Sequence, residues 1–417
     1  VKLNLRWFQW LDHNYGFQAS YEEVGDPRRR RAQTVIDTVT GRPAQTVDVN
    51  TKNTTTVRLN VRLPDLLKQL GAPGDRPARA PAASDSAAVP GQPFILRRFL
   101  NYGAGYIEPL NNTWRRNTDA SNLNLVERPS LAYQFGLDDS LKVRRLSVGL
   151  TQQDSWSRST SLESSSGLRL PLGVSVKPSY KLQRTDRSGS TQTRKRVEEQ
   201  VYWPRLSVNW GRADRLPYIK RFITSAQVNV RYEVSDTRQA EGALVRRHLI
   251  KESSNRDYEV SWNGQWRWGP STRISYNRST GDELEYELAS NVDSTLAPGE
   301  APPVRGRGTS EKSTAGFEVK YNLRPRQLPL FGQLKSNVDL RLKFEVGSET
   351  RYSATGEAEP APLAETDRWN AELNATYKFS ENFRGEGVVR LEDNRNGLTD
   401  RTRKVREVRL SGTLFFR

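Results

Sequence analysis

Any catalysis by this chain would have to begin from two histidines, His13 and His248. The 417 residues include no cysteine, which removes thiol nucleophiles, thiolate metal sites and disulfides together. A serine hydrolase needs a base such as imidazole beside its nucleophile, so a triad would have to recruit one of the two. The sequence puts them in different strand-to-strand connections, and no Gly-x-Ser-x-Gly elbow occurs. Histidine pairs at helical spacing and a glycine-rich loop between strand and helix are also missing. Asp138 and Asp139, Glu22 and Glu23, and Glu198 and Glu199 are adjacent carboxylates. On extended backbone neighbours face opposite ways, so such pairs do not converge on one bond as glycosidase acids do. These residues predict no enzyme, no cofactor and no resident metal.

The residue pattern that does repeat is structural. Val338, Leu340, Leu342, Phe344 and Val346 alternate with Asp339, Arg341, Lys343 and Glu345; Trp369, Ala371, Leu373, Ala375, Tyr377 and Phe379 alternate with Asn370, Glu372, Asn374, Thr376 and Lys378. Val408, Leu410, Gly412, Leu414 and Phe416 repeat the pattern at the end of the chain. A period of two is the mark of a strand with one apolar and one wet face. Strands of this length, rimmed by aromatics, predict an all-β fold: a large antiparallel transmembrane β-barrel, or the C-terminal segment of one, because hydrocarbon tolerates only backbone whose polar groups are all paired. The whole chain, 1–417, reads as a single barrel domain or barrel segment.

Similar alternations open at Val1, Leu3, Leu5 and Trp7, and at Tyr15, Phe17, Ala19 and Tyr21 after a turn at Asp12, His13 and Asn14. They recur at Val57 to Leu63, Leu100 to Tyr106, Leu131 to Leu137, Leu146 to Leu150, Leu168 to Val176, Ala226 to Val234, Tyr258 to Trp268, Ile274 to Tyr276, Phe317 to Leu323 and Phe383 to Leu391. About 14 to 16 strands follow from length and turn criteria. Tight turns are expected at Gly269 and Pro270 and at 380–382, with long polar loops at 186–196, 290–313 and 351–367, an asymmetry matching the periplasmic and extracellular sides of outer-membrane barrels. Two stretches break the pattern. Residues 64–93 open with a short helical candidate and continue as a Pro- and Ala-rich excursion, predicted to be disordered. Residues 212–222 suit either a short amphipathic rim helix or a plain turn.

Mean hydropathy of −0.77 and 35% hydrophobic residues exclude a helical membrane protein, and no stretch reaches the roughly 20 apolar residues a spanning helix needs. The net charge of +17 invites a nucleic-acid reading, but the basic residues interleave with acids along strands instead of gathering in a stripe; the tight run Arg28 to Arg31 falls in a loop. No nucleic-acid partner is expected. Alternating parity instead nominates Arg231, Glu233, Glu318, Lys320, Arg341, Lys343 and Glu345 as lumen-facing. It nominates Trp7, Trp203, Trp266, Trp268, Trp369, Tyr377 and Phe379 as an aromatic girdle at headgroup level. Leu410, Leu414 and Phe416 form the terminal aromatic-ended strand that barrel-assembly machinery reads. Outer-membrane lipid and lipopolysaccharide are the surroundings such a protein implies. With no methionine, the chain is expected to be a mature form or a piece of something longer.

Three function classes remain: a transport barrel, of which a porin or lipid exporter is a variant; a soluble or surface-exposed β-structured adhesin whose tryptophans engage glycan; and, distantly, an outer-membrane hydrolase using His13 and His248. Residues 96–106 (Leu96 through Tyr106), then Arg128, Pro129, Ser130 and Leu131 through Leu137, then Trp203, Pro204 and Arg205 through Gly211 with Ile223 to Ala226 and Tyr232 behind them, resemble the C-terminal portion of the SprA/Sov family. The likeness spans most of the chain in order and spacing. It departs at Glu108, Pro109, Leu110, Asn111 and Asn112, where the family has Pro-Gly-Phe, and at Arg417 beyond the terminal aromatic. That resemblance implies an outer-membrane translocon of type IX secretion, a system associated with gliding motility, with secreted protein cargo and accessory or plug subunits as partners.

Overall fold

The computed structural model describes residues 1–24, 47–63, 65–66, 106–136, 138, 141, 143, 154–189, 195–287, 301–323, 337–356, 358–380 and 382–415. They form sixteen strands: β1 (Lys2–Phe8), β2 (Leu11–Val24), β3 (Val47–Val61), β4 (Leu110–Leu125), β5 (Ser155–Ser165), β6 (Leu168–Leu170), β7 (Val174–Ser188) and β8 (Arg196–Trp210) in the first half. The second half holds β9 (Ile223–Glu241), β10 (Leu249–Trp266), β11 (Ser271–Tyr286), β12 (Val304–Leu323), β13 (Val338–Thr355), β14 (Ala361–Lys378), β15 (Phe383–Asn396) and β16 (Arg401–Leu414).

All belong to one sheet, in which each strand pairs antiparallel with the next; β6 alone lies off the path, paired to β7. Fifteen strands thus form an up-and-down meander, the topology of a barrel wall. Because every step reverses direction, β1 and β16, first and fifteenth on the path, run the same way. No register joins them among the described residues, so each presents an unpaired edge.

Registry across the hairpins is regular and keeps one face apolar from strand to strand. Val228, Trp262, Ile274, Phe317, Phe344, Ala371 and Leu391 lie side by side from β9 to β15. Val319, Leu342, Leu373, Val389 and Val408 form the next row. On β13 the apolar run covers 338–346 and on β14 369–377, about the 9 to 11 residues that cross a bilayer at a tilt. Beyond it the ladder continues with polar residues on both faces, as in Thr350 to Ser353.

That continuation corrects the expected long loops. The ladder holds β12 from Val304 and β13 to Thr355, and β14 resumes at Ala361, with five residues between; likewise β7 runs to Ser188 and β8 begins at Arg196. Hydropathy stops alternating once both faces meet water, whereas the backbone hydrogen bonds that define a strand persist. The two rims differ less in loop length than in how far strands outrun the apolar band. One rim, here called the near rim, carries the turns at Gln9 and Trp10, at 267–270 and at 379–382, close to the band; the far rim is built from the extensions.

Other expectations change locally. Leu131, Tyr133 and Phe135 do not form a strand: Leu131–Gln134 is a single helical turn, α1, whose N-cap Ser130 accepts a hydrogen bond from the Tyr133 amide at 3.3 Å. Asp12, His13 and Asn14 lie inside β2 instead of a turn. Leu100 to Gly105, Leu137 and Leu146 to Leu150 lie outside the described residues, as does 64–93 apart from Asp65 and Leu66 in a helical turn. Strands β4 and β5 carry no apolar alternation to reveal them, being rich in Asn, Ser and Thr on both faces.

Among the described residues no second layer covers the sheet. The buried clusters are small and sit at the rims: Ala213, Ile223 and Ala226 near one, Ala240, Leu249 and Tyr286 near the other.

Candidate functional site: a two-faced wall

The polar face is organised by cross-strand charge. Registry sets Arg273, Glu318, Lys343, Glu372, Arg390 and Glu407 in one row from β11 to β16, cation and anion alternating at every step. Opposite charges directly across strands stabilise the ladder where like charges would weaken it. The sequence reading found Glu318 and Lys343 by parity along their own strands. Arg273, Glu372, Arg390 and Glu407 emerge only once hairpins are aligned, and folding β14 onto β15 about the turn at 379–382 would have exposed the last three.

All seven residues nominated as lumen-facing are on this face and in ion pairs. Arg341 Nε stands 2.6 Å from Glu318 Oε1 and Lys320 Nζ 3.3 Å from the same atom. Lys343 Nζ lies 3.0 Å from Glu345, which also meets Arg368 at 3.7 Å. Glu233 receives Arg231 at 2.7 Å and Arg205 at 2.9 Å. Each carboxylate therefore serves two cations.

Between these charged groups lies a neutral sector on β8 to β11. The Asn209 amide donates to Asn229 Oδ1 at 2.5 Å, Gln227 donates to the same oxygen at 3.2 Å, and Asn229 donates to Ser261 Oγ at 3.4 Å. A shallow depression beside it is lined by Gln227, Asn263, Gln265, Arg273, Glu318 and Lys320. Hydroxyls, amides and self-paired ions offer hydration everywhere and no concentrated field of one sign.

The aromatic candidates fall at two levels. At the near rim Trp266 and Trp268 pack with ring centroids 4.7 Å apart, and Tyr377, Phe379 and Phe383 form a chain at 4.7 and 5.1 Å. At the opposite limit of the band stand Trp369 and, against Tyr180 at 6.2 Å, Trp203. Trp7 lies on β1, its side chain outside the described set. Leu410 and Leu414 lie on β16, exposed at its free edge, and Phe416 is outside the described residues.

His13 and His248 are not brought together. His13 is buried in β2 with its ring edge-on to Tyr15 at 5.7 Å, while His248 ends a 3-10 turn between β9 and β10 at the far rim.

Among the described residues nothing covers the apolar face. Leu342, Phe344 and Val346 are 42%, 43% and 44% exposed although they occupy the middle of the sheet. Soluble monomers rarely leave contiguous apolar patches beyond a few hundred Å². Here such a band crosses β9 to β16 without interruption.

Fold and faces together define the class: an all-β antiparallel wall of the barrel type, apolar on one side and polar on the other. No family model and no curated protein matches the chain. Among solved structures it is similar to the ferric-catecholate import receptor Fiu from E. coli, with a TM-score of 0.36 and 7% identity over 99% of this chain and 70% of that one. The ferric yersiniabactin uptake receptor FyuA from Yersinia pestis gives 0.30 and 8% over 95% of this chain and 58% of that one, so the chain spans little more than half of that receptor. The β domain of the Bordetella autotransporter Brka gives 0.24 and 7% over 75% and 100%. These likenesses are too distant to bear on function.

Proposed function

We propose that this chain is a wall segment of an outer-membrane β-barrel that serves a protein translocon of the SprA/Sov kind, a hydrated conduit for secreted cargo. The observation that carries the membrane part is the apolar band left uncovered among the described residues: in lipid it is buried at no cost, and its backbone groups are paired along the ladder except at the free edge of β16. A soluble adhesin would need a second layer over the same residues.

The conduit part draws on the polar face and the edges. Joining β16 directly to β1 would create a parallel seam in an otherwise antiparallel sheet. Closure in the usual antiparallel manner calls for an odd number of further strands, hence a ring wider than these fifteen alone. Ion pairs and amides suit passage of folded protein, since paired charges hold it less than free ones. The sequence resemblance to the type IX translocon supplies the cargo.

Cysteine accessibility tests the wall directly, because the native chain offers no background thiol. In membranes Lys343→Cys is expected to react with a charged maleimide and Leu342→Cys to resist it until detergent is added. Equal labelling of both sinks the membrane reading. The translocon reading is tested in cells lacking the protein, where folded secreted proteins are expected to accumulate in the periplasm; unchanged export refutes it and leaves a porin or lipid exporter.

A further inference from the structure

The connection from β8 to β9, residues 211–222, does not arch over the polar face. Ala213, fully buried, clusters with Ile223 and Ala226, and around them pack Trp210, Ile219, Val228, Trp262 and Trp266. Trp210, Ala226, Val228 and Trp262 all stand on the apolar face, so the connection folds back onto the side that meets hydrocarbon, at the near end of the band. It is held there by main-chain bonds within the turn, from Lys220 to Leu216 at 2.9 Å, and by Arg267 donating to the Phe222 carbonyl at 2.9 Å.

What this platform turns outward is chemically uniform. Arg212, Arg215, Lys220 and Arg221 are exposed, and none forms an ion pair with another described residue. Asp214 is the single acid in the segment. Among the cations stand Tyr218, 89% exposed, and Phe222 and Trp268, both more than half exposed. The charged row from Arg273 to Glu407 alternates cation and anion across strands; in this segment four cations stand with one acid. A basic, aromatic-bearing segment seated on the lipid side where hydrocarbon ends lies in the headgroup layer, where aromatic rings and phosphates are its natural neighbours.

We infer that residues 211–222 form an anchor for anionic phospholipid, with Arg212, Arg215, Lys220 and Arg221 on headgroup phosphates and Tyr218, Phe222 and Trp268 in the interfacial layer. Strands end close to the apolar band at the near rim and outrun it at the far rim; far-reaching extensions belong to the extracellular side of an outer-membrane barrel, which puts the near rim at the periplasmic, phospholipid leaflet and not at the lipopolysaccharide one. The inference rests on the membrane reading above, and its test separates the two.

The test reconstitutes the full chain and measures retention of phosphatidylglycerol against phosphatidylcholine by native mass spectrometry, across a salt series. Replacing Arg212, Arg215, Lys220 and Arg221 with Gln is expected to weaken phosphatidylglycerol retention by at least about tenfold at low salt, since each surface cation adds to the attraction of an anionic leaflet. The difference should shrink as salt is raised. Arg401→Gln with Arg403→Gln, at the far rim, should leave retention unchanged. Single changes at Lys220 and Arg221, each with a smaller loss, cover the case in which the fourfold variant misfolds. Insertion with unaltered phosphatidylglycerol retention overturns the anchor alone. Lipid A competing as well as phosphatidylglycerol overturns the phospholipid assignment, and a chain that never enters membranes overturns both readings.

Discussion

Arg341 reaches across the β12–β13 seam to Glu318, Nε to Oε1 at 2.6 Å, and the carboxylate it meets is the more enclosed partner, with 15% of its side chain exposed against 49% for the arginine. Lys320 shares that oxygen. Removing Arg341 leaves the carboxylate a second cation, whereas removing Glu318 leaves two cations side by side. Glu318→Gln is therefore expected to cost about 1–2 kcal/mol and Arg341→Gln less than about 1 kcal/mol, the difference between stranding charges and losing an exposed pair. Urea unfolding in micelles measures both; equal costs would contradict the shared-anion arrangement.

Leu342 and Tyr352 stand on the same face of β13 and are almost equally exposed, 42% and 40%, yet one lies inside the apolar band and the other on the far-rim extension. If the band faces lipid, Leu342→Arg costs about 2–4 kcal/mol and Tyr352→Arg between about 0 and 1 kcal/mol. Folding yield into vesicles and unfolding from them give the two values. Similar penalties at both positions would mean that both meet the same solvent.

Period-two alternation made β13, β14 and β16 legible because one face of each is apolar and the other ionic, so the strand signal and the burial signal coincide. It failed where they separate. In β5, from Ser155 to Ser165, hydroxyls occupy both faces, and only pairing with Arg116 and its neighbours on β4 shows the strand. Polar extensions such as 304–313 read as loops for the same reason. The charged row through Glu372 and Arg390 was hidden differently: each residue is visible alone, but its meaning lies in registry, which no single strand carries.

Edge geometry makes a covalent prediction. Val389 and Val408 are directly opposed across β15 and β16, well within the Cα separation a disulfide spans. Val389→Cys with Val408→Cys should cross-link readily under mild oxidation, seen as a reduction-sensitive mobility shift. Leu3→Cys with Leu410→Cys, on the two free edges, should stay reduced within one chain. A fast intramolecular cross-link between Leu3 and Leu410 positions would show that the fifteen strands close on themselves, and the wider ring would have to be abandoned.

At the far rim, beyond the apolar band, the Tyr286 hydroxyl donates to Glu252 Oε2 at 2.6 Å, while Arg238 holds the other oxygen at 3.1 Å. Burial, then the hydrogen bond to Glu252 and its negative charge, push the phenol up to about 12. Between its ordinary value near 10 and 12 the folded state keeps a proton that the unfolded chain has released, so the stabilisation is complete below pH 10 and fades as pH rises toward 12. Tyr286→Phe removes a hydrogen bond to a charged acceptor and is expected to cost about 1–2 kcal/mol at neutral pH. The gap between wild type and Tyr286→Phe, followed by urea unfolding at pH 8, 10 and 11, should narrow over the last step. A gap that stays constant to pH 11 would place the phenol in water and dissolve the Tyr286, Glu252 and Arg238 cluster as a determinant of the far rim.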